Sequence, residues 1–79
     1  MTHVQMVLQV LCSGEALDLW EIEARVKPLV PHTEEAPGVT GISARVRDLR
    51  KEKFGGFTVL KERIPGKAYP KYRLVLPVA

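Results

Sequence analysis

The apolar residues of this chain follow a helical period up to the pair Gly55-Gly56 and an alternating one after it. A period of 3.6 lines one stripe of a helix and a period of 2 lines one face of a strand, so the switch predicts helices first and strands last, an α+β order. In "HVQMVLQVLCSG", Val4, Val7, Leu8 and Leu11 fall at helical spacing, and Gly14 stands where a left-handed C-terminal cap is common. This predicts a first helix over residues 3–13. "EALDLWEIEARVKPLV" opens with a short extended piece, after which Asp18 precedes Glu21 at capping-box spacing. A second helix therefore starts at Leu19, with Leu19, Ile22, Val26 and Leu29 on one face, Trp20 close to that face, and Pro28 ending or kinking it near Lys27. "VPHTEEAPG" has no sustained period and reads as an exposed loop.

The third helix is predicted over residues 40–53 of "TGISARVRDLRKEKFGG", with Thr40 as N-cap. Ile42, Val46, Leu49 and Lys53 lie in a narrow angular band, and the first three form its buried seam. Thr40, Ala44, Arg47 and Lys51 lie opposite, flanked by Ser43 and Arg50. After the glycines, "FTVLKER" and "KYRLVL" read as the strands of a β-hairpin, residues 57–64 and 69–76, with "IPGKAYP" placing the tip near Pro65 to Ala68. Tyr72, Leu74 and Leu76 share one face of the second strand, and Lys71, Arg73 and Val75 the other.

Seventy-nine residues predict one domain, 1–79, near the lower size at which an apolar core holds a chain without staples. A single cysteine, Cys12, excludes an intrachain disulfide, and with His3 and His32 it makes no recognisable zinc-ligand set. A reduced, cytoplasmic protein is expected. No apolar run approaches the ~20 residues that cross a bilayer, and no basic region with a cleavable apolar segment opens the chain, so neither secretion nor membrane insertion is expected. The net charge of +3 conceals a division: residues 1–38 carry −4 and residues 39–79 carry +7. The predicted third helix alone holds Arg45, Arg47, Arg50, Lys51 and Lys53 against Asp48 and Glu52. Such asymmetry points one part of the molecule toward a polyanion.

The order helix, short extended segment, helix, loop, helix, hairpin resembles the winged helix-turn-helix family, in particular its small bacterial and phage-encoded members. "ISARVRDLRKE" and "YPKYRLV" match the pattern of their third helix and wing in residue type as well as order. The resemblance covers nearly the whole chain, although Pro28 and "PHTEEAPG" lengthen the connection between helices two and three. It implies a cytosolic module that binds double-stranded DNA, with a recognition helix in the major groove and a basic hairpin on the neighbouring backbone, acting as a transcriptional or phage-type regulator.

The residues support that use independently. The N-terminal half of a helix in the major groove reaches base edges, and Thr40, Ser43, Ala44 and Arg47 have the size and placement to read them. Arg50, Lys51, Lys61, Arg63, Lys67 and Lys71 are the candidates for phosphate. Two rival readings share the scaffold: a protein-interaction module working through the acidic N-terminal half, and an architectural factor that bends DNA in recombination or replication. Elsewhere the simpler interpretation is preferred. His3 and His32 are expected to be exposed, Cys12 to be a small core residue, Trp20, Tyr69 and Tyr72 to serve packing, and Glu34-Glu35 to sit in a solvated turn. No nucleophile, base and oxyanion site assemble, so neither catalysis nor a cofactor is expected. A monomer, or a weak homodimer through the first helix, is the expected state.

Overall fold

Thr2 starts the chain's first helix with a capping box, its hydroxyl accepting from the Gln5 N–H (3.2 Å) while the Gln5 side chain accepts from the Thr2 N–H (2.8 Å). The computed structural model describes residues 2–75. The elements are α1 (His3–Leu11), α2 (Leu19–Val26), α3 (Val39–Leu49), β1 (Thr58–Glu62) and β2 (Lys71–Val75). Short 3₁₀ turns cover Lys27–Leu29 and Glu52–Phe54. This is a small α+β fold of three helices and an antiparallel hairpin.

The core draws on every element: Met6, Val7, Val10 and Leu11 from α1, Ile22 and Val26 from α2, Ile42, Val46 and Leu49 from α3, and Val59 and Leu74 from the hairpin, joined by Leu17. The α1 stripe is rotated from the expected one, since Val4 and Leu8 are only partly buried while Met6 and Val10 replace them. α1 packs against both α2 and α3, so its buried arc faces two neighbours rather than one. Cys12 is exposed, not a core residue, because the helix ends at Leu11 and Cys12 caps it beyond the buried arc. Gly14 takes the expected left-handed conformation (φ 80°). His32 is exposed, whereas His3 in the first turn of α1 is partly buried.

α2 starts as expected. The Asp18 carboxylate accepts from the Glu21 N–H (2.8 Å) and Glu21 accepts from the Asp18 N–H (3.1 Å). It ends at Val26, where Pro28 converts the next turn to 3₁₀ geometry. Just before α2, Leu17 pairs with Tyr72 through two backbone hydrogen bonds of 2.9 and 2.7 Å. The extended piece expected here is thus fastened along the free edge of β2.

α3 differs at both ends from its expected span. Gly38, not Thr40, is the N-cap, in extended conformation, with its carbonyl accepting from the Ile42 N–H at 2.8 Å. Pro37 lies against the first turn at Gly41, where an added Cβ would come within 3.3 Å of the proline ring. At the far end it stops at Leu49, so Lys51 lies beyond it and Lys53 falls in the separate 3₁₀ turn that follows. The Leu49 carbonyl accepts from the Phe57 N–H (2.8 Å) and the Lys51 carbonyl from the Gly56 N–H (2.9 Å), closing a reversal through Gly55 and Gly56 at φ 111° and 60°. Positive φ at two successive residues is readily available only to glycine.

The hairpin pairs Thr58 with Val75, Leu60 with Arg73 and Glu62 with Lys71; β1 is three residues shorter than expected and β2 starts two residues later. Side chains of paired residues share a face. Val59 and Leu74 turn inward, with Tyr72 partly buried on the same face and Lys61 on that face but exposed, while Thr58, Leu60, Glu62, Lys71, Arg73 and Val75 turn outward. Leu76, expected to join Tyr72 and Leu74, lies outside the described residues.

Candidate nucleic-acid interface

α3 and the hairpin are held in fixed relation by two bonds. One is the backbone bond from Phe57 to Leu49; the other runs from the Arg50 guanidinium (Nη2) to the Val59 carbonyl at 2.8 Å. Arg50, expected to meet phosphate, therefore ties the end of the helix to the first strand. A charge-assisted bond to a backbone carbonyl is among the stronger polar contacts, and it orients the hairpin against the helix.

On α3, Ile42, Val46 and Leu49 face the core and turn Thr40 and Arg47 to solvent, with Ser43 and Ala44 partly exposed at their flanks. The four residues expected to read bases therefore share the outward side of one rigid helix. No side chain caps the first turn. Arg47 has no carboxylate within ion-pairing distance among the described residues, and the same holds for Lys61, Arg63 and Lys67 on the hairpin, all four being exposed. Lys27, after α2, is likewise unpaired.

The remaining cations are engaged. Lys51 meets Asp48 at 3.2 Å and Arg45 meets the other oxygen of the same carboxylate at 3.0 Å. Lys71 meets Glu21 at 3.3 Å, Arg73 meets Glu62 at 2.8 Å and Arg25 meets Glu15 at 2.8 Å. Lys51 and Lys71, both expected to contact phosphate, thus hold internal partners. Lys61 and Lys71 also lie on opposite faces of the hairpin, which their shared assignment to phosphate did not foresee.

Three carboxylates are held below their ordinary pKa. Glu15 is lowered by the hydrogen bond from Arg25, Glu21 first by the Asp18 backbone N–H and then by Lys71, and Asp48 by the hydrogen bond from Lys51 with Arg45 adding to it. A carboxylate whose folded pKa is depressed contributes stability above its unfolded pKa and loses it as pH falls through the folded value. The ordinary values are 4.5 for glutamate and 3.8 for aspartate, so the melting temperature is expected to be level from neutral pH to about 5 and to fall in more acid solution. A melting temperature unchanged down to about pH 2 would show that these pairs add nothing.

Trp20 and Tyr69 are not packed inside the helices and hairpin as expected. They meet each other at the surface, ring centroids 4.3 Å apart and planes tilted by 54°, with 44% and 56% of their areas exposed. Tyr72, by contrast, is partly buried against the core. Beside the pair, Asp18, Glu21, Lys67 and Lys71 line a shallow cleft between α2 and the hairpin turn. Among the described residues no helix is long and apolar enough to cross a membrane, and no three His, Cys, Asp or Glu side chains are grouped to hold a metal ion. Comparison with protein families, with curated proteins and with solved structures gives no match for this chain.

Proposed function

We propose that the chain is a winged helix-turn-helix domain that binds double-stranded DNA in a sequence-specific way, as a small transcriptional or phage-type regulator. α3 is the reading helix and the hairpin is the wing. The observation that carries this is the distribution of unpaired charge: Arg47 on the outward side of α3 and Lys61, Arg63 and Lys67 on the hairpin hold no partner among the described residues, while most other cations do. Exposed cations without partners repel one another, a cost that a polyanion removes. The topology adds support, because the one-residue Leu17–Tyr72 bridge sets the extended segment between α1 and α2 alongside β2, where the resemblance to winged helices expects such a segment.

In this arrangement Thr40, Ser43, Ala44 and Arg47 read base edges, and Lys61, Arg63 and Lys67 meet phosphates. Lys51 and Lys71 stay with Asp48 and Glu21, adding phosphate contacts only where those pairs open, and Arg50 orients the wing. The test measures duplex binding by Arg47→Ala and Lys67→Ala against a selected site, single-base variants of that site and random duplex. Arg47→Ala is expected to lose about 1–3 kcal/mol at the selected site, to relax preference at one or two base pairs, and to change random binding less. Lys67→Ala is expected to weaken all duplexes by similar factors. The opposite pattern would reverse the roles of helix and wing, and a wild-type chain that retains no duplex at low salt ends the DNA reading.

The rival protein-interaction reading is favoured by one feature, the exposed Trp20–Tyr69 pair, since these residue types dominate binding hot spots. Its proposed acidic surface is weakened by the engagement of Glu15 and Glu21 with Arg25 and Lys71. A failed duplex titration would return this reading to first place.

A further inference from the structure

Asp48 lies one residue before the end of α3, beside its outward face. A carboxylate there opposes the helix dipole, whose C-terminal end carries partial negative charge, so its placement is unfavourable unless cations offset it. Two do so directly: Arg45 Nε at 3.0 Å from one oxygen and Lys51 Nζ at 3.2 Å from the other, with Lys53 adding to the positive field. The carboxylate is only 13% exposed, against 38% for the Arg45 side chain and 54% for that of Lys51. Arg45 Nε is buried and makes no well-aligned hydrogen bond, so charge attraction holds it in place. A phosphate approaching this end of the helix must either draw Lys51 away from Asp48 or lie near a fixed negative charge.

Resting on the DNA-binding reading, we infer that Asp48 is an internal competitor of DNA phosphate: by occupying Arg45 and Lys51 it holds down the affinity of α3 for any duplex, so that discrimination falls to the base-reading side chains. Neutral contacts along the helix are unaffected. A protein that reads sequence gains from this, because sequence-independent phosphate attraction strengthens binding to every competing site.

The test uses the full chain and a labelled random-sequence duplex, titrated at roughly 50 and 200 mM salt. Asp48→Asn keeps the shape and a carbonyl for Arg45 while removing the charge. It is expected to bind about three- to tenfold more tightly at the lower salt, with a log–log salt slope steeper by about one unit, as one released cation takes up a phosphate. In a Lys51→Gln background the gain should shrink to less than half. Glu62→Gln makes the same change in net charge on the outward face of the hairpin, where Glu62 pairs with Arg73, and is expected to alter affinity less than Asp48→Asn.

Wild-type binding with unchanged or weaker binding by Asp48→Asn overturns the inference and leaves the DNA reading standing, provided the variant's melting curve shows it folded. If it does not fold, Asp48→Ser carries the same comparison. An equal gain from Glu62→Gln also overturns it, since net charge alone would then explain the effect. Absence of wild-type binding at low salt removes both the inference and the reading beneath it.

Discussion

Replacing Leu49 with alanine is expected to lower the unfolding free energy by about 2–5 kcal/mol, the range for truncating a fully buried leucine. The side chain is 1% exposed and belongs to the core cluster formed by all three helices and the hairpin. Its loss combines the transfer free energy of the removed carbons with the cost of a cavity that its neighbours fill only in part. Leu49 is also the last residue of α3, and its carbonyl receives the N–H that brings the chain back toward β1. Loosening this residue therefore frees the angle between helix and hairpin as well as the core. Small domains hold roughly 5–15 kcal/mol in total, so the variant would be near its unfolding threshold at physiological temperature. A urea or thermal melt measures the loss, with Leu60→Ala as the comparison. Leu60 is 38% exposed on the outward face of the hairpin and is expected to lose far less. Equal melting behaviour of wild type and Leu49→Ala would contradict the packing described for α3.

DNA affinity is expected to fall steeply with salt. If Arg47, Lys61, Arg63 and Lys67 each displace one condensed cation, the log–log slope is roughly −3.6, and affinity drops about 150-fold between 50 and 200 mM salt. This is shallower than the ten cations of residues 39–79 would suggest, because Arg50 is bound to a backbone carbonyl and Arg45, Lys51, Lys71 and Arg73 face carboxylates. The slope thus counts released cations rather than total charge. A value near zero would contradict phosphate binding altogether; a value far beyond −5 would mean that the internal pairs open on DNA.

Much of this architecture was legible in the residue order because its signals are local. The capping box at Asp18 and Glu21, the termination at Pro28, the seam of Ile42, Val46 and Leu49 and the turn after Ile64 each depend on neighbours a few residues away. The misplacements depend on distant contacts. Lys53 continues the angular band of α3, so periodicity alone extends the helix, but the bond from Phe57 to Leu49 and the extended conformation of Lys51 (ψ 140°) end it earlier. The rotation of α1 toward Met6 and Val10 follows from packing on two helices at once, which one stripe does not encode.

The candidate site divides in the same way. Which residues stand opposite the α3 seam follows from helical geometry, so the exposure of Thr40 and Arg47 was readable. Which cations are neutralised was readable only in part: Arg45 and Lys51 stand three residues from Asp48, but Glu21 and Lys71 are far apart in sequence and Arg50 finds a carbonyl rather than an anion. The Trp20–Tyr69 contact likewise joins α2 to the residues after the hairpin turn, a pairing that appears only when the fold has closed.

The pairing of Leu17 with Tyr72 has a consequence for how the molecule is made. It joins a residue near the start of the chain to one in the final described strand, so its two bonds form only after almost every intervening residue is available. Contacts of such sequence separation are gained late and slow the folding reaction, because the intervening chain must be ordered before they repay its loss of freedom. During synthesis the three helices emerge first, and Leu17 keeps an open backbone edge until Tyr72 has left the ribosome. The backbone edge at Leu17 is thus open to mispairing until β2 has been delivered to cover it.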